Sequence, residues 1–264
     1  MKTGGVLAQL ARLAALVVLS ALALQIFFLA RIALMAVSDP ESTTFQRSEA
    51  WRIALHERHP AWSHQWVDYA QISSNLKRAV IASEDAGFVE HSGVEWDALE
   101  KAWERNQKAQ ARVERINARI ERRQDKAAPG KVREGTPTLV VARIVGVSTI
   151  TQQLAKNLFL DSERHLLRKA QEFVITFMLE AVLPKQRILE IYLNSVEWGS
   201  GIFGAEAAAQ HYFRTHASRL GVLQAAQLAV MLPAPKRFEK RPSSGYVLGR
   251  AGTITARMGA VELP

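Results

Sequence analysis

From Leu13 to Ala30 the chain is apolar, with Gln25 the only strongly polar residue, and after Arg31 the run continues through Val37 before Asp39 and Glu41. One helix crossing a bilayer takes about 20 residues. A spanning segment must also close its own backbone hydrogen bonds, which selects the helix. Arg31, near the far end, can lay its stem along apolar surface while its head reaches the interface. Lys2 and Arg12 precede the run without an acid between them. That charge pattern places 1–12 in the cytoplasm, 13–37 across the membrane and the remainder outside the cytoplasm. A cleaved signal peptide is the competing reading. The run is long for one, and no clean small-x-small site ends it, so a retained anchor is expected.

The anchor leaves most of the 264 residues for one large domain or two small lobes, and a 48% hydrophobic content supplies a core. There are no cysteines, which excludes a disulfide framework and thiolate chemistry. The net charge of +9 suits an anionic partner: nucleic acid, an acidic membrane surface or a phosphorylated substrate.

Residues 38–71 mix Pro40 and Pro60 with Trp51, Trp62 and Trp66, and read as a linker and membrane-proximal segment with packing aromatics. Ile72 to Ser83 has the apolar spacing of a short helix, ending in Glu84-Asp85. Carboxylates there meet the negative end of the helix dipole, which pushes a carboxyl pKa upward, as a base working near neutral pH requires. A solvated helix end with a small penalty is the plainer reading of that pair. Asp97 to about Ala128 is a charged helix with a thin apolar stripe at Val113, Ile116 and Ile120, closed by Pro129-Gly130. Its arginines suit acidic lipid or a partner, although a solvated face is the commoner meaning of such a pattern. Helix patterns follow Pro184 and cover Leu220 to Leu232. The glycines at 199, 201 and 204 form no phosphate-binding signature. With hardly any strand-like alternation and no internal repeat, the class is mainly α.

The densest chemistry lies between Gly146 and Glu172. Gln152 and Lys156 are four apart, as are Gln153 and Asn157, so each pair shares a helix face. Arg164, Arg168 and Glu172 repeat that spacing and would line one stripe. The opposite stripe, Ala170, Phe173, Val174, Phe177, Met178 and Ala181, is apolar and is expected to pack inward. Two carboxylates, Glu84 and Glu172, flank this cluster of cations and amides. Paired carboxylates serve glycosyl chemistry, and fixed cations stabilise an anionic leaving group. Together they suggest sugar transfer from a phosphorylated donor.

Five segments also carry a resemblance. Glu84-Asp85-Ala86-Gly87-Phe88-Val89-Glu90-His91-Ser92-Gly93 resembles the first motif, EDxxFxxHxG, of the peptidoglycan glycosyltransferases, the lysozyme-like family 51 of glycosyltransferases. Gly146 to Asn157 is similar to their second motif, Arg168 to Glu172 to the third, Arg187 to Asn194 to the fourth and Leu223 to Pro233 to the fifth. The motifs arrive in family order. The layout of one anchor and this domain resembles the monofunctional biosynthetic branch of Gram-negative bacteria.

The resemblance implies a lysozyme-like helical domain over 72–245 with a smaller membrane-proximal lobe, an extended mobile insert at about 104–142, and a tail at 246–264. It implies lipid II as acceptor and the lipid-linked nascent glycan as donor. Glu84 would be the base at the acceptor 4-hydroxyl. Lys156, Arg164, Arg168 and Lys169 would hold the leaving pyrophosphate. Glu172 would orient those cations or bind through a metal or water. Ser148, Thr149, Gln152, Asn157 and Asp85 would shape the substrate site. No tightly held cofactor is implied; a divalent cation, magnesium or manganese, is the candidate stimulant. Cell-division or cell-wall synthesis proteins are the protein partners implied, and no nucleic acid.

Three departures stand out. Val147 replaces a small residue, the 104–142 segment is long, and no penicillin-binding domain accompanies the motifs; Ser74 to Lys77 and Lys2 to Gly4 match its signatures only by accident. A lysozyme-type hydrolase or lytic transglycosylase is the alternative enzyme, and it has no use for a pyrophosphate grip. A membrane-tethered scaffold is the non-enzymatic alternative, and it leaves Glu84 and Glu172 unexplained.

Overall fold

The computed structural model describes residues 3–56, 62–125, 140–142, 146–160 and 166–264. Two compact units divide the chain: Met1–Gly93 with Thr149–Pro264, and Val94–Ser148. The mainly α class expected from the sequence is what the structure shows.

In the first unit, α1 (Thr3–Leu34) is followed by α2 (Thr44–His56), strand β1 (Ser63–His64) and α3 (Ser74–Glu84). The second unit holds α4 (Trp96–Asp125). The first unit resumes with α5 (Ile150–Phe159), α6 (Leu166–Val182), α7 (Lys185–Ser195), β2 (Glu197–Gly199), β3 (Ile202–Phe203), α8 (Ala205–Phe213), α9 (Val222–Met231), α10 (Pro235–Phe238) and α11 (Gly245–Met258). The short sheet runs β1-β3-β2, with β1 parallel and β2 antiparallel to β3.

Helix α1 contains the apolar span, and Ala8–Leu34 is long and apolar enough to cross a membrane. Its side chains from 8 to 24 are exposed. Gln25, Phe28, Ile32 and Met35 then turn inward at helical spacing, and α1 packs on α6. The chain leaving α1 is fastened by Arg187, which donates to the carbonyls of Met35 and Ser38 and pairs with Asp39 at 2.7 Å. The segment expected as a linker contains α2, which packs against α5.

Helix α3 starts at Ser73, whose hydroxyl accepts from Asn75 N–H and donates to the Leu220 carbonyl. Its buried face, Leu76, Ala79, Val80 and Ile81, packs on α9 and α11. The stretch expected as a C-terminal tail thus carries a core helix. Ser244 caps α11, and Val247, Ala251, Ile254 and Met258 are buried. Gly204 sits at φ +84°, where a Cβ would lie 2.8 Å from the Asn194 carbonyl oxygen, so the turn from β3 into α8 needs glycine.

In the second unit, α4 realises the charged helix expected from Asp97 onward. Asn117 donates to the Val140 carbonyl and accepts from the Val140 N–H, both at 2.9 Å. The rest of the long insert expected there, 126–139, and residues 143–145 lie outside the described residues.

Candidate active site

Glu84 is the last residue of α3, and Asp85 is its C-cap. Glu84 is largely buried with one edge open, and burial raises its pKa above the ordinary carboxylate value. The neighbouring Asp85 charge adds to that rise, while hydrogen bonds from Gln153 and Ser83 oppose it. Desolvation, more than the helix dipole expected from the sequence, is the dominant cause. Gln153 Nε2 donates to Glu84 Oε2 at 3.0 Å. The Ser83 hydroxyl reaches Oε1 only at 3.4 Å. Behind Gln153, the fully buried Tyr192 donates its hydroxyl to Gln153 Oε1 at 2.9 Å. That bond fixes the amide so that its NH2 group faces Glu84.

Asp85 plays a different part. Its carboxylate is buried, accepting from His91 Nε2 at 2.7 Å and from the Ile150 N–H at 2.9 Å. The second contact places a negative charge at the N-terminus of α5, where the helix dipole favours it. His91 Nδ1 accepts from Gly93 N–H at 3.1 Å, so the proton facing Asp85 is carried on Nε2. Gly93 has φ +86°, and a Cβ there would lie 2.7 Å from Thr176 Cγ2, so only glycine fits. Its carbonyl accepts from the Thr149 hydroxyl at 2.6 Å. Lys185 donates to the His91 carbonyl and pairs with Glu180, which also accepts from Thr151. Residues 85–93 are therefore pinned to α5, α6 and the start of α7.

Thr149 and Gln152 form a capping box: the Thr149 hydroxyl accepts from Gln152 N–H, and Gln152 Oε1 accepts from Thr149 N–H. Both side chains are buried, so the structure places them in the support of α5. Asn157 is also buried on α5, and Lys156 is exposed on it. Ser148 ends the second unit and is exposed. Arg164 lies outside the described residues.

Helix α6, packed on α5, gathers the third motif into one turn. The buried Glu172 accepts from Arg168 Nη1 at 3.1 Å and from Lys169 Nζ at 2.5 Å. Arg168 Nε is buried and has no hydrogen-bond partner in the protein, so the guanidinium keeps a donor unspent. Two cations sharing one carboxylate leave net positive charge, as a phosphate-binding turn requires.

One sequence expectation is corrected here. Of the apolar stripe expected to pack inward, Ala170, Val174, Phe177 and Ala181 are exposed, and Phe173 and Met178 only partly buried. The inward stripe is Glu172, Ile175, Thr176 and Leu179. Its polar members are satisfied internally, Thr176 by donating its hydroxyl to the Glu172 carbonyl. That satisfaction lets a mixed face, and not the apolar one, turn to the core.

Among the described residues no group of three or more histidine or carboxylate side chains could hold a metal. Glu172 is engaged by Arg168 and Lys169, and Asp85 by His91 and the Ile150 N–H.

Sequence reasoning missed Gln153 and Tyr192 as partners of Glu84, and Glu180 and Lys185 as pins of the first motif. Gln153 had a signal in its four-residue spacing to Asn157. Tyr192 had none beyond its place in the fourth motif.

A family model described as Transglycosylase matches residues 53–114 and 135–259. The chain is 48% identical over 252 residues to a biosynthetic peptidoglycan transglycosylase of Paraburkholderia xenovorans, covering 96% of this chain and 92% of that one. It is 48% identical over 243 residues to the same-named protein of Burkholderia orbicola, and 49% over 243 residues to that of Burkholderia ambifaria, each covering 92% of this chain and 86% of the relative.

Proposed function

This chain belongs to the transglycosylase family and polymerises the glycan strands of peptidoglycan, and from that premise we propose how its residues divide the reaction. Glu84 removes the proton from the 4-hydroxyl of the acceptor, lipid II. The oxygen attacks the anomeric carbon of the lipid-linked growing glycan from the face opposite its pyrophosphate. The new C–O bond forms as the bond to the pyrophosphate oxygen breaks, and the undecaprenyl pyrophosphate leaves with the electron pair. An α-linked donor thereby gives a β-linked product.

The observation that carries this reading is the state of Glu84: its proton affinity is raised by burial, one oxygen is held by Gln153 and the other is only weakly engaged. A carboxylate with raised proton affinity is a better proton acceptor for a hydroxyl. Lys156, Arg164, Arg168 and Lys169 neutralise the pyrophosphate as charge develops on it. Arg168, a planar guanidinium held by Glu172, suits phosphate oxygens. Glu172 positions Arg168 and Lys169. Asp85, Thr149, Gln152 and Asn157 hold α5 and the first-motif loop in register, and Ser148 borders the substrate.

Helix α1 anchors the chain in the bacterial inner membrane, with Lys2 and Arg12 on the cytoplasmic side and the catalytic domain in the periplasm. That places the enzyme beside substrates whose lipid tails stay in the bilayer. Proteins of cell-wall synthesis or division are the fitting partners. The test is to incubate the full chain with labelled lipid II and, separately, with finished murein. Polymer from lipid II and intact murein support the assignment. Release of fragments from murein without polymer identifies a lytic enzyme and overturns it.

A further inference from the structure

Helix α11 turns a face of mixed chemistry to solvent. Val247, Ala251, Ile254 and Met258 are buried. Away from them, Tyr246, Arg250, Thr253 and Arg257 follow one another at steps of four, three and four, all exposed on one face. Beside that row runs a second exposed one, Gly245, Gly249, Gly252 and Ala256. A Cβ added at any of the three glycines would meet nothing within 4 Å. Gly249 and Gly252 have no positive φ that calls for glycine, and glycine weakens a helix interior. What they leave is a bare strip about 18 Å long, bordered by a phenol ring, a hydroxyl and two guanidiniums.

The ring at the head of this face is held in place. Tyr246 is 63% exposed and stacks on Phe238 of α10, with centroids 5.8 Å apart and planes within 6°. Phe238 in turn packs on the core, and Arg237 lies over its ring at 5.7 Å. From Pro235 to Met258 the chain carries six lysines and arginines against one acid, Glu239. Glu239 accepts from the Ser200 N–H, and Lys236 pairs with Glu49. Arg237, Lys240, Arg241, Arg250 and Arg257 are exposed, and none pairs with a carboxylate among the described residues. Such a surface draws an anionic partner. A second copy does not fit it, because a two-fold pairing would set Arg250 and Arg257 against their own counterparts. A sugar chain that carries carboxylates does fit: pyranose C–H faces pack on aromatic rings, and guanidiniums grip carboxylates.

We propose that the exposed face of α11, headed by the Phe238–Tyr246 stack, binds a strand of the finished wall. The sugar chain lies along the glycine strip, and the carboxylates of its stem peptides pair with Arg237, Arg250 and Arg257. The face is separate from the anchor: α1 packs on α6, whereas α11 packs on α3 and α9. It is joined to the site, because α3 ends in Glu84. Existing murein is thereby held by the same body that carries the base. The proposal rests on the periplasmic placement of the domain and not on the identity of the base.

Co-sedimentation with purified sacculi tests it. The full chain in detergent is compared with the triple variant Tyr246→Ala, Arg250→Ser, Arg257→Ser, whose three positions are exposed. The triple variant should need at least about tenfold more sacculi for half-retention, with the initial rate on lipid II unchanged. Retention of the parent should weaken as salt rises. It should fall to the level of the variant on sacculi stripped of stem peptides by an amidase. Tyr246→Phe keeps the ring stack and should bind as the parent does. Equal retention of parent and triple variant would overturn the proposal; if the parent then dimerises and the variant does not, the face belongs to a second copy. Full retention on stripped sacculi would overturn the carboxylate pairing. If the triple variant melts earlier than the parent, Arg250→Glu alone gives the same comparison. A C-terminal reporter active only when exported reads the placement of the domain separately.

Discussion

Tyr192 reaches Glu84 through a single side chain: its hydroxyl donates to Gln153 Oε1 at 2.9 Å, and Gln153 Nε2 donates to Glu84 Oε2 at 3.0 Å. Removing the donor to the carboxylate favours its protonated form, since the Gln153 bond lowers the Glu84 pKa against the rise caused by burial. In Gln153→Leu the acidic limb of the kcat/KM profile should move to higher pH. Tyr192→Phe leaves Gln153 Oε1 without its donor and should slow turnover about tenfold with little change in KM. A pH profile of initial polymerisation rates for the three proteins checks both outcomes.

Asp85 should behave as a structural residue of the site. Its oxygens take His91 Nε2 and the Ile150 N–H in a buried setting. Asp85→Ala strands both donors and should cost roughly 2–4 kcal/mol of stability. Asp85→Asn can still accept from Ile150 but turns an NH2 group toward His91, whose Nδ1 is already committed to Gly93. The asparagine variant should therefore be destabilised too, by about half as much, in thermal unfolding in detergent.

Glu172 should affect the leaving group without moving the base. In Glu172→Gln the charge shared by Arg168 and Lys169 is lost and their positions loosen. We expect kcat to fall on the order of 10–100-fold while the acidic limb of the pH profile stays in place. A shifted limb would make Glu172 a proton-transfer residue.

Glu197 predicts a pH dependence of stability. It is buried, and desolvation, aided by the Glu49 charge, raises its pKa from 4.5 to about 7 despite Lys236 at 3.5 Å. Between those two values the folded protein keeps a proton that the unfolded chain has released. Its contribution is therefore complete below pH 4.5 and is lost as pH rises to about 7. The loss is on the order of 2–3 kcal/mol. Glu197→Gln should flatten that part of the stability curve and raise the unfolding temperature at pH 8 relative to the parent, which calorimetry in detergent measures.

The sequence was most legible where structure is local. The apolar spacing of α3 leads to Glu84 at its end, in sequence and in structure. In sequence Gln152 and Thr149 are expected to shape the substrate site; in the structure each side chain also accepts from the other's backbone N–H. Orientation was the part that could not be read. Apolar periodicity reports that a face avoids water, and says nothing about whether protein or lipid covers it. The stripe from Ala170 to Ala181 therefore read as core. The Gln25 to Gln171 pair, 146 residues apart, carries no sequence signal of its own. Helix α11 reads as a tail in sequence, where Gly245, Gly249 and Gly252 dilute its helical pattern.

The central claim is that Glu84 is the base of glycan polymerisation. Initial rates with labelled lipid II for the parent and for Glu84→Gln, alongside binding of the same substrate, test it most directly. The account predicts a loss of about 100- to 10,000-fold in kcat with substrate binding retained. Polymerisation by Glu84→Gln at the parental rate would contradict it and move the base elsewhere in the site.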